Sequence, residues 1–156
     1  MTPTNLIKDL AAEIDDCTKE IKLPTEYMRK PSAENFVKVN VFEQYIPADL
    51  FEQTTYFPLI IVELLNIRDN LKEGSVAEVG LSCGVYAKEE NGWQDLFHLM
   101  QVIRLRLLTK RLIAQKFRLV DELITSFPDT QPQPFMFSYI NAQYELYLPQ
   151  EAGLPI

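Results

Sequence analysis

NGWQDLFHLMQVIRLRLL, running from Asn91 to Leu108, is the stretch whose reading decides the fold. Trp93, Leu96, Phe97, Met100, Ile103, Leu107 and Leu108 recur at spacings of three and four, the signature of a helix with one wide apolar stripe. Asn91 is suited to cap the first turn through its side-chain oxygen, and Gly92 lets the chain turn tightly before it. Asp95 falls near the positive N-terminal end of the helix dipole, and Arg104 and Arg106 near the negative C-terminal end. Such a stripe needs a sheet or another helix to cover it. Trp93 is expected to be buried at the helix start as a core anchor.

The flanking sequence supplies strands. On the N-terminal side, Pro58 opens LIIVELLNI, a run of branched aliphatics suited to a buried strand. Arg68, Asp69, Asn70, Leu71, Lys72 and Glu73 then form a polar stretch ending in Gly74, read as a six-residue hairpin tip that projects from the domain. Ser75 to Lys88 is the returning strand. It has Val79, Leu81, Cys83 and Val85 on one face and Gly80, Ser82, Gly84 and Tyr86 on the other. That second face is nearly bare, so either something packs on it at close range or it faces a neighbouring chain. After the helix come a basic bend, a strand over Phe117–Phe127, a stiff loop with Pro128, Pro132 and Pro134, and a last strand over Phe135–Leu148.

Upstream, Val37, Val39 and Val41 alternate with polar residues in a short strand before Pro47. Leu23 to Lys38 reads as a linker. Asn5 to Ile21 has helical spacing, with Thr4 as its N-cap and a thin apolar stripe suited to docking on a partner or on the domain edge. The expected fold is α+β: a mostly antiparallel sheet, the central amphipathic helix packed on one face, and an N-terminal helix. Residues 1–35 are expected as a helical arm and linker, 36–150 as the domain, and 151–156 as a loose tail.

Chemistry is sparse. The chain of 156 residues has two cysteines, Cys17 and Cys83, and a single histidine, His98. No Cys/His cluster, phosphate-cradling glycine loop or Gly-x-Ser-x-Gly elbow occurs, so no metal, no cofactor and no enzyme activity is expected. His98 reads as structural. Glu20-Ile21-Lys22 has an acid-x-Lys spacing but falls on a helix, and Glu89-Glu90 reads as a solvated pair. The net charge of −7 argues against tight duplex binding. No apolar run is long enough to span a membrane, and no signal-peptide pattern opens the chain.

The charge is uneven. Arg104 to Arg118 holds six basic residues and no acidic one, whereas Phe36 to Ile103 holds ten acidic and four basic. A solvated basic helix end explains this, and so does a chain whose copies meet unlike patch to unlike patch. On the second reading Arg104, Arg106, Lys110 and Arg111 meet Glu89, Glu90 or Asp69 of the next copy.

Three stretches carry a resemblance: FPLIIVELLNIRD (Phe57–Asp69), GVYAKEENGWQDLFHLMQVIRLRLL (Gly84–Leu108) and PDTQPQPFMFSYINAQYELYLPQ (Pro128–Gln150). In order and spacing they resemble the small tail-completion proteins of tailed bacteriophages and prophages of Gram-positive bacteria. The shared features are a Pro-led aliphatic strand, a glycine-rich strand entering Gly-Trp-x-Asp-Leu at a helix start, and a Pro-rich loop before an aromatic strand ending in Leu-Pro. The strand before Pro47 also fits. The likeness covers Val39 to Gln150 and leaves out the N-terminal helix. Ser138, Tyr139 and Ile140 depart from the family's small-Glu-Met triplet, and Tyr144 and Leu146 stand where related chains often carry Trp.

The resemblance implies a structural virion protein like the lambda-type tail terminator. Such a subunit is made in the host cytoplasm and forms a ring in the virion, usually a hexamer, and such subunits can stay monomeric until they meet a tube. The ring caps the tail tube at its head-proximal end and ends polymerisation. Its implied partners are other copies of itself, the tail-tube protein and the head–tail connector proteins, with DNA passing through without sequence-specific binding. A head-side stopper and a host-side regulatory or adaptor domain are the alternatives.

Overall fold

The computed structural model describes residues 2–24, 36–47, 56–87 and 92–152. Its elements run α1 (Pro3–Thr18), β1 (Lys22–Pro24), β2 (Phe36–Lys38), β3 (Asn40–Glu43), β4 (Leu59–Asn70), β5 (Gly74–Tyr86), α2 (Gly92–Thr109), β6 (Leu112–Ile113), β7 (Phe117–Ser126) and β8 (Phe135–Leu146). The main sheet has the order β3-β4-β5-β8-β7-β6 and is antiparallel except where β3 runs parallel to β4. Both helices pack on one face of it, α1 against β3 and β4, α2 against β5 and β8. The fold is α+β.

The alternation in β5 decides which face is inner. Ala77, Val79, Leu81, Cys83 and Val85 are buried, and opposite them on β8 lie Tyr144, Ala142, Ile140 and Ser138, also buried. The central three strands thus place their inward residues under the helices, as a period of two requires. The nearly bare face of β5 is filled from its neighbours. An added Cβ at Gly80 would meet Leu65 at 3.0 Å, and one at Gly84 would meet the rings of Phe57 and Phe137 at 2.8 Å. Phe57 also stacks on Phe135, with centroids 4.4 Å apart. Of the two readings of this face, close packing within the chain is the one realised at Gly80 and Gly84.

α1 takes the second of its two expected places, the domain edge, packing on β3 and β4: Leu6, Leu10 and Ile14 are fully buried and share one core with the sheet and α2. Its N-cap is Thr2, whose hydroxyl accepts from the Asn5 backbone at 3.1 Å, two residues earlier than Thr4. Pro3 fits because the first helical residue needs no backbone donor. The stretch read as a linker also contributes structure, since β1 pairs antiparallel with β2 through Leu23↔Val37. The predicted strand after Phe36 breaks at Val39, which is buried, and its two halves join different sheets.

α2 forms where predicted, but its buried stripe is rotated. Gly92, Leu96, Leu99, Ile103 and Leu107 face the core. At 3.6 residues per turn this is roughly 60° away from the predicted stripe. Trp93, expected as the core anchor, is 43% exposed, as is Phe97. The reason lies at Gly92. A Cβ there would sit 2.4 Å from that of Ala87, so the helix start packs backbone-close on the end of β5. The next residue, Trp93, is thereby turned onto the flank opposite α1.

Candidate functional site

The basic cluster at the end of α2 divides into two pairs. Arg106 and Lys110 turn toward α1. Arg106 Nη1 donates to Glu13 Oε1 at 2.7 Å and to Asp16 Oδ2 at 3.1 Å, and Lys110 Nζ donates to Glu13 Oε2 at 2.7 Å. Partial burial pushes the Glu13 carboxyl up, but the bonds from Lys110 and Arg106 outweigh it and hold the group below its ordinary range. The same bonds hold the Arg106 guanidinium above its ordinary value. These two cations were expected to meet a neighbouring copy. They are committed instead to α1 of their own chain, because the helices lie side by side and α1 carries its acids on the facing flank.

Arg104 lies on the opposite flank of α2, and Arg111 follows the helix, which ends at Thr109. Arg104 makes a long contact of 3.4 Å to Gln101, one turn back, and Arg111 Nε donates to the Leu108 carbonyl at 2.9 Å, closing the helix end. Trp93, Phe97 and Phe127 continue this flank. Trp93 and Phe97 meet edge to face at 5.4 Å, and Phe97 meets Phe127 at 5.3 Å. All three rings are half exposed.

At the hairpin, the expected six-residue polar tip is shorter. The ladder continues to Asn70↔Gly74, and only Leu71, Lys72 and Glu73 form the turn. Gly74 has φ of +96°, which suits glycine. The Asn70 side chain accepts from the backbone of Lys72 and Glu73. Asp69 accepts from the Ser75 hydroxyl at 2.6 Å, and Arg68 reaches Gln143 on β8 at 3.3 Å. The tip is therefore internally ordered, and Leu71, at 91% exposure, is its most exposed apolar side chain. Glu89 and Glu90 lie outside the described residues, as does Asn91.

Sequence reasoning missed the sheet edges. β3 covers β4 only over Leu59–Val62. Gln44 then stands in for one more strand residue: its side chain accepts from the Leu64 N–H at 3.0 Å and donates to the Leu64 carbonyl at 3.4 Å. Beyond it, Leu65–Asn70 has no strand on its outer side among the described residues, and all six residues are exposed. At the other end of the sheet, β6 covers β7 only at Phe117 and Arg118. The Leu119 N–H is taken by the Arg111 carbonyl at 2.7 Å, and the rest of β7 is open among the described residues. The one signal for this in the sequence is that the aliphatic run after Pro58 gives way to polar residues from Asn66 onward, although the strand itself continues to Asn70.

Little here suits catalysis. Burial pushes the Cys17 and Cys83 thiols up to about 11 and about 12, so neither is a thiolate at neutral pH. Among the described residues no three His, Cys, Asp or Glu side chains gather as a metal site. No helix among them is long and apolar enough to cross a membrane. Compared with known proteins, the sequence matches no family model and no curated protein.

Proposed function

We propose that this chain is a tail-completion protein of a tailed phage or prophage, a structural subunit that forms a ring on the last turn of the tail tube and ends its growth. The observation that carries the reading is the sheet with two unlike open edges, β4 beyond Leu64 and β7 beyond Leu119. A subunit with two different surfaces that complement each other assembles head to tail, and a head-to-tail contact closes into a ring when its rotation divides the circle. The ordered likeness over Val39–Gln150 supplies the biological setting. The net charge of −7 supports it as well, because a bore that passes DNA must not hold the phosphates.

The rigid part of such a subunit is its single core, which joins both helices to the sheet. The parts available to neighbours are the open edges, the hairpin turn and the Trp93–Phe97–Phe127 flank. Aromatic and arginine side chains of this kind are the residue types that most often carry binding energy at interfaces.

Negative-stain microscopy of particles made without this protein tests the proposal. Overlong tails, or tails without heads, are the expected result. Full heads that leak DNA beside tails of normal length contradict it and favour a head-side stopper.

A further inference from the structure

We propose that the open edge of β4, Leu65–Asn70, pairs with β7 of a second copy, so that neighbouring subunits share one continuous sheet. The inference rests on the ring reading only in taking the occupant to be a second copy.

The nature of the occupant follows from the edge. Leu65 points to the face away from the helices, over Gly80, and is 46% exposed. Ile67, opposite Ala77, points to the helix-covered face and is 39% exposed. Leu71 stands at the end of the strand. Apolar groups on both faces of an unpaired backbone suit an extended strand, which presents side chains to both faces and supplies the missing hydrogen bonds. A helix or a small ligand meets only one face. Edges are normally guarded by charges, prolines, bulges or cover. Leu65–Asn70 has a bulge at Leu65 and the charges Arg68 and Asp69 but no lysine, no proline and no covering strand among the described residues, so its backbone stays open to a partner of complementary charge.

Strand direction identifies which strand fits. β4 is antiparallel to β5, β5 to β8 and β8 to β7, so β4 and β7 run in opposite senses. Rotating a copy about an axis along the strands preserves those senses. It brings β7 of the second copy antiparallel to β4, with the helices of both copies on the same side of the sheet. Setting Ile67 opposite Thr125 of the second copy keeps the inner faces continuous, because Ile67 pairs across from Ala77 and Thr125 across from Ile140, both buried. That register sets Glu122 opposite Asn70, diagonal to both Arg68 and Lys72, while Asp121 falls opposite Leu71, between Asp69 and Glu73. Two β7 edges meeting each other offer Glu122 no such cations, since β7 carries no basic residue after Arg118. Opposite charge across strands favours the unlike pairing.

The two edges are tested separately and then together, by sedimentation velocity on the full chain over a range of concentration. Ile67→Lys spoils the β4 edge, and Ile124→Lys spoils the β7 edge at a half-exposed position. The wild type is expected to associate, and each variant alone to weaken association at least about tenfold with an unchanged circular dichroism spectrum and melting temperature. A mixture of the two variants retains one intact edge of each kind and is expected to form a one-to-one heterodimer and nothing larger. A wild type that assembles while both variants assemble equally well overturns the edge pairing and leaves the ring reading standing. An Ile124→Lys chain that still dimerises alone overturns it in favour of β4 pairing with β4. A wild type that stays monomeric throughout overturns self-pairing, and the particle images then decide the ring reading on their own.

Discussion

The two halves of β4 meet at a bulge beside Leu65 and have opposite surroundings. Leu59–Val62 is paired on both sides, with β3 and β5, and Leu59, Ile60 and Val62 are buried. Leu65–Asn70 is paired with β5 alone and is exposed throughout. Composition changes along with environment: Leu59–Val62 is wholly aliphatic, whereas Leu65–Asn70 keeps only Leu65 and Ile67 among Asn66, Arg68, Asp69 and Asn70. Cover separates the halves as well. β3 ends at Glu43, Gln44 closes off the ladder at Leu64, and α1 packs on the sheet over β3 and β4. A strand with one half in the core and one half unpaired is anchored firmly enough to present an edge, which is what an assembly surface requires.

Substitutions in the covered half carry the largest expected effect. Ile60 is fully buried among core residues. Ile60→Ala is expected to cost about 2–5 kcal/mol, through lost transfer energy and the cavity left behind. Urea unfolding followed by circular dichroism measures it. A loss as small as that of a surface position would mean that the two halves differ less than their exposure indicates.

The fastening of α1 comes next. Glu13→Gln keeps the shape but removes the charge that holds Arg106 and Lys110, and is expected to cost roughly 1–3 kcal/mol at neutral pH, the range for hydrogen bonds to charged groups. Glu13 titrates below its ordinary value of 4.5 in the folded chain. Its contribution is therefore complete above the ordinary carboxylate range and is lost as pH falls through the lower folded value. The gap in urea midpoint between wild type and Glu13→Gln should narrow as the pH is taken down through and below the ordinary carboxylate range. A gap that stays constant with pH would assign the effect to packing.

Gln44→Ala removes the side chain that ends the covered half. Two hydrogen bonds to the Leu64 backbone are lost, at a cost of about 1–2 kcal/mol. Water can replace part of them at this exposed position. Hydrogen exchange should show the loss first at the Leu64 amide.

Much of this architecture is legible in the residues. The α+β class, the β4–β5 hairpin, α2 and the face assignment of β5 all follow from periodicity and turn residues. Three features resist such reading, each for a physical reason. α1 has a recognisable helical stripe, but its docking is settled by partners far along the chain, as the Arg106–Glu13 bond across 93 residues illustrates. Trp93 is hydrophobic enough to be read as core, yet the Gly92–Ala87 contact fixes the helix rotation and turns it outward. The open edges depend on where β3 and β6 stop. That is a matter of pairing rather than pattern, and parallel pairing of β3 with β4 leaves no local mark. Of the residues singled out as interface candidates, Arg106 and Lys110 are committed within the chain, whereas Arg104, Arg111 and the hairpin turn remain free to act outward. An ion pair and an unused cation look alike in sequence.

The smallest effect on the isolated chain is expected at the exposed half. Ile67→Lys should change stability by no more than about 0.5 kcal/mol, as surface changes do, while altering association. A large loss of stability would show that this half is held in the folded subunit after all.

Hydrogen exchange along β4 in the free chain and in the assembled particle tests the central claim most directly. The account predicts slow exchange over Leu59–Val62 in both states. It predicts fast exchange at the outward-facing amides of Leu65–Asn70 in the free chain, and strong protection of those same amides in the particle. Equal exchange over Leu65–Asn70 in the two states would contradict it.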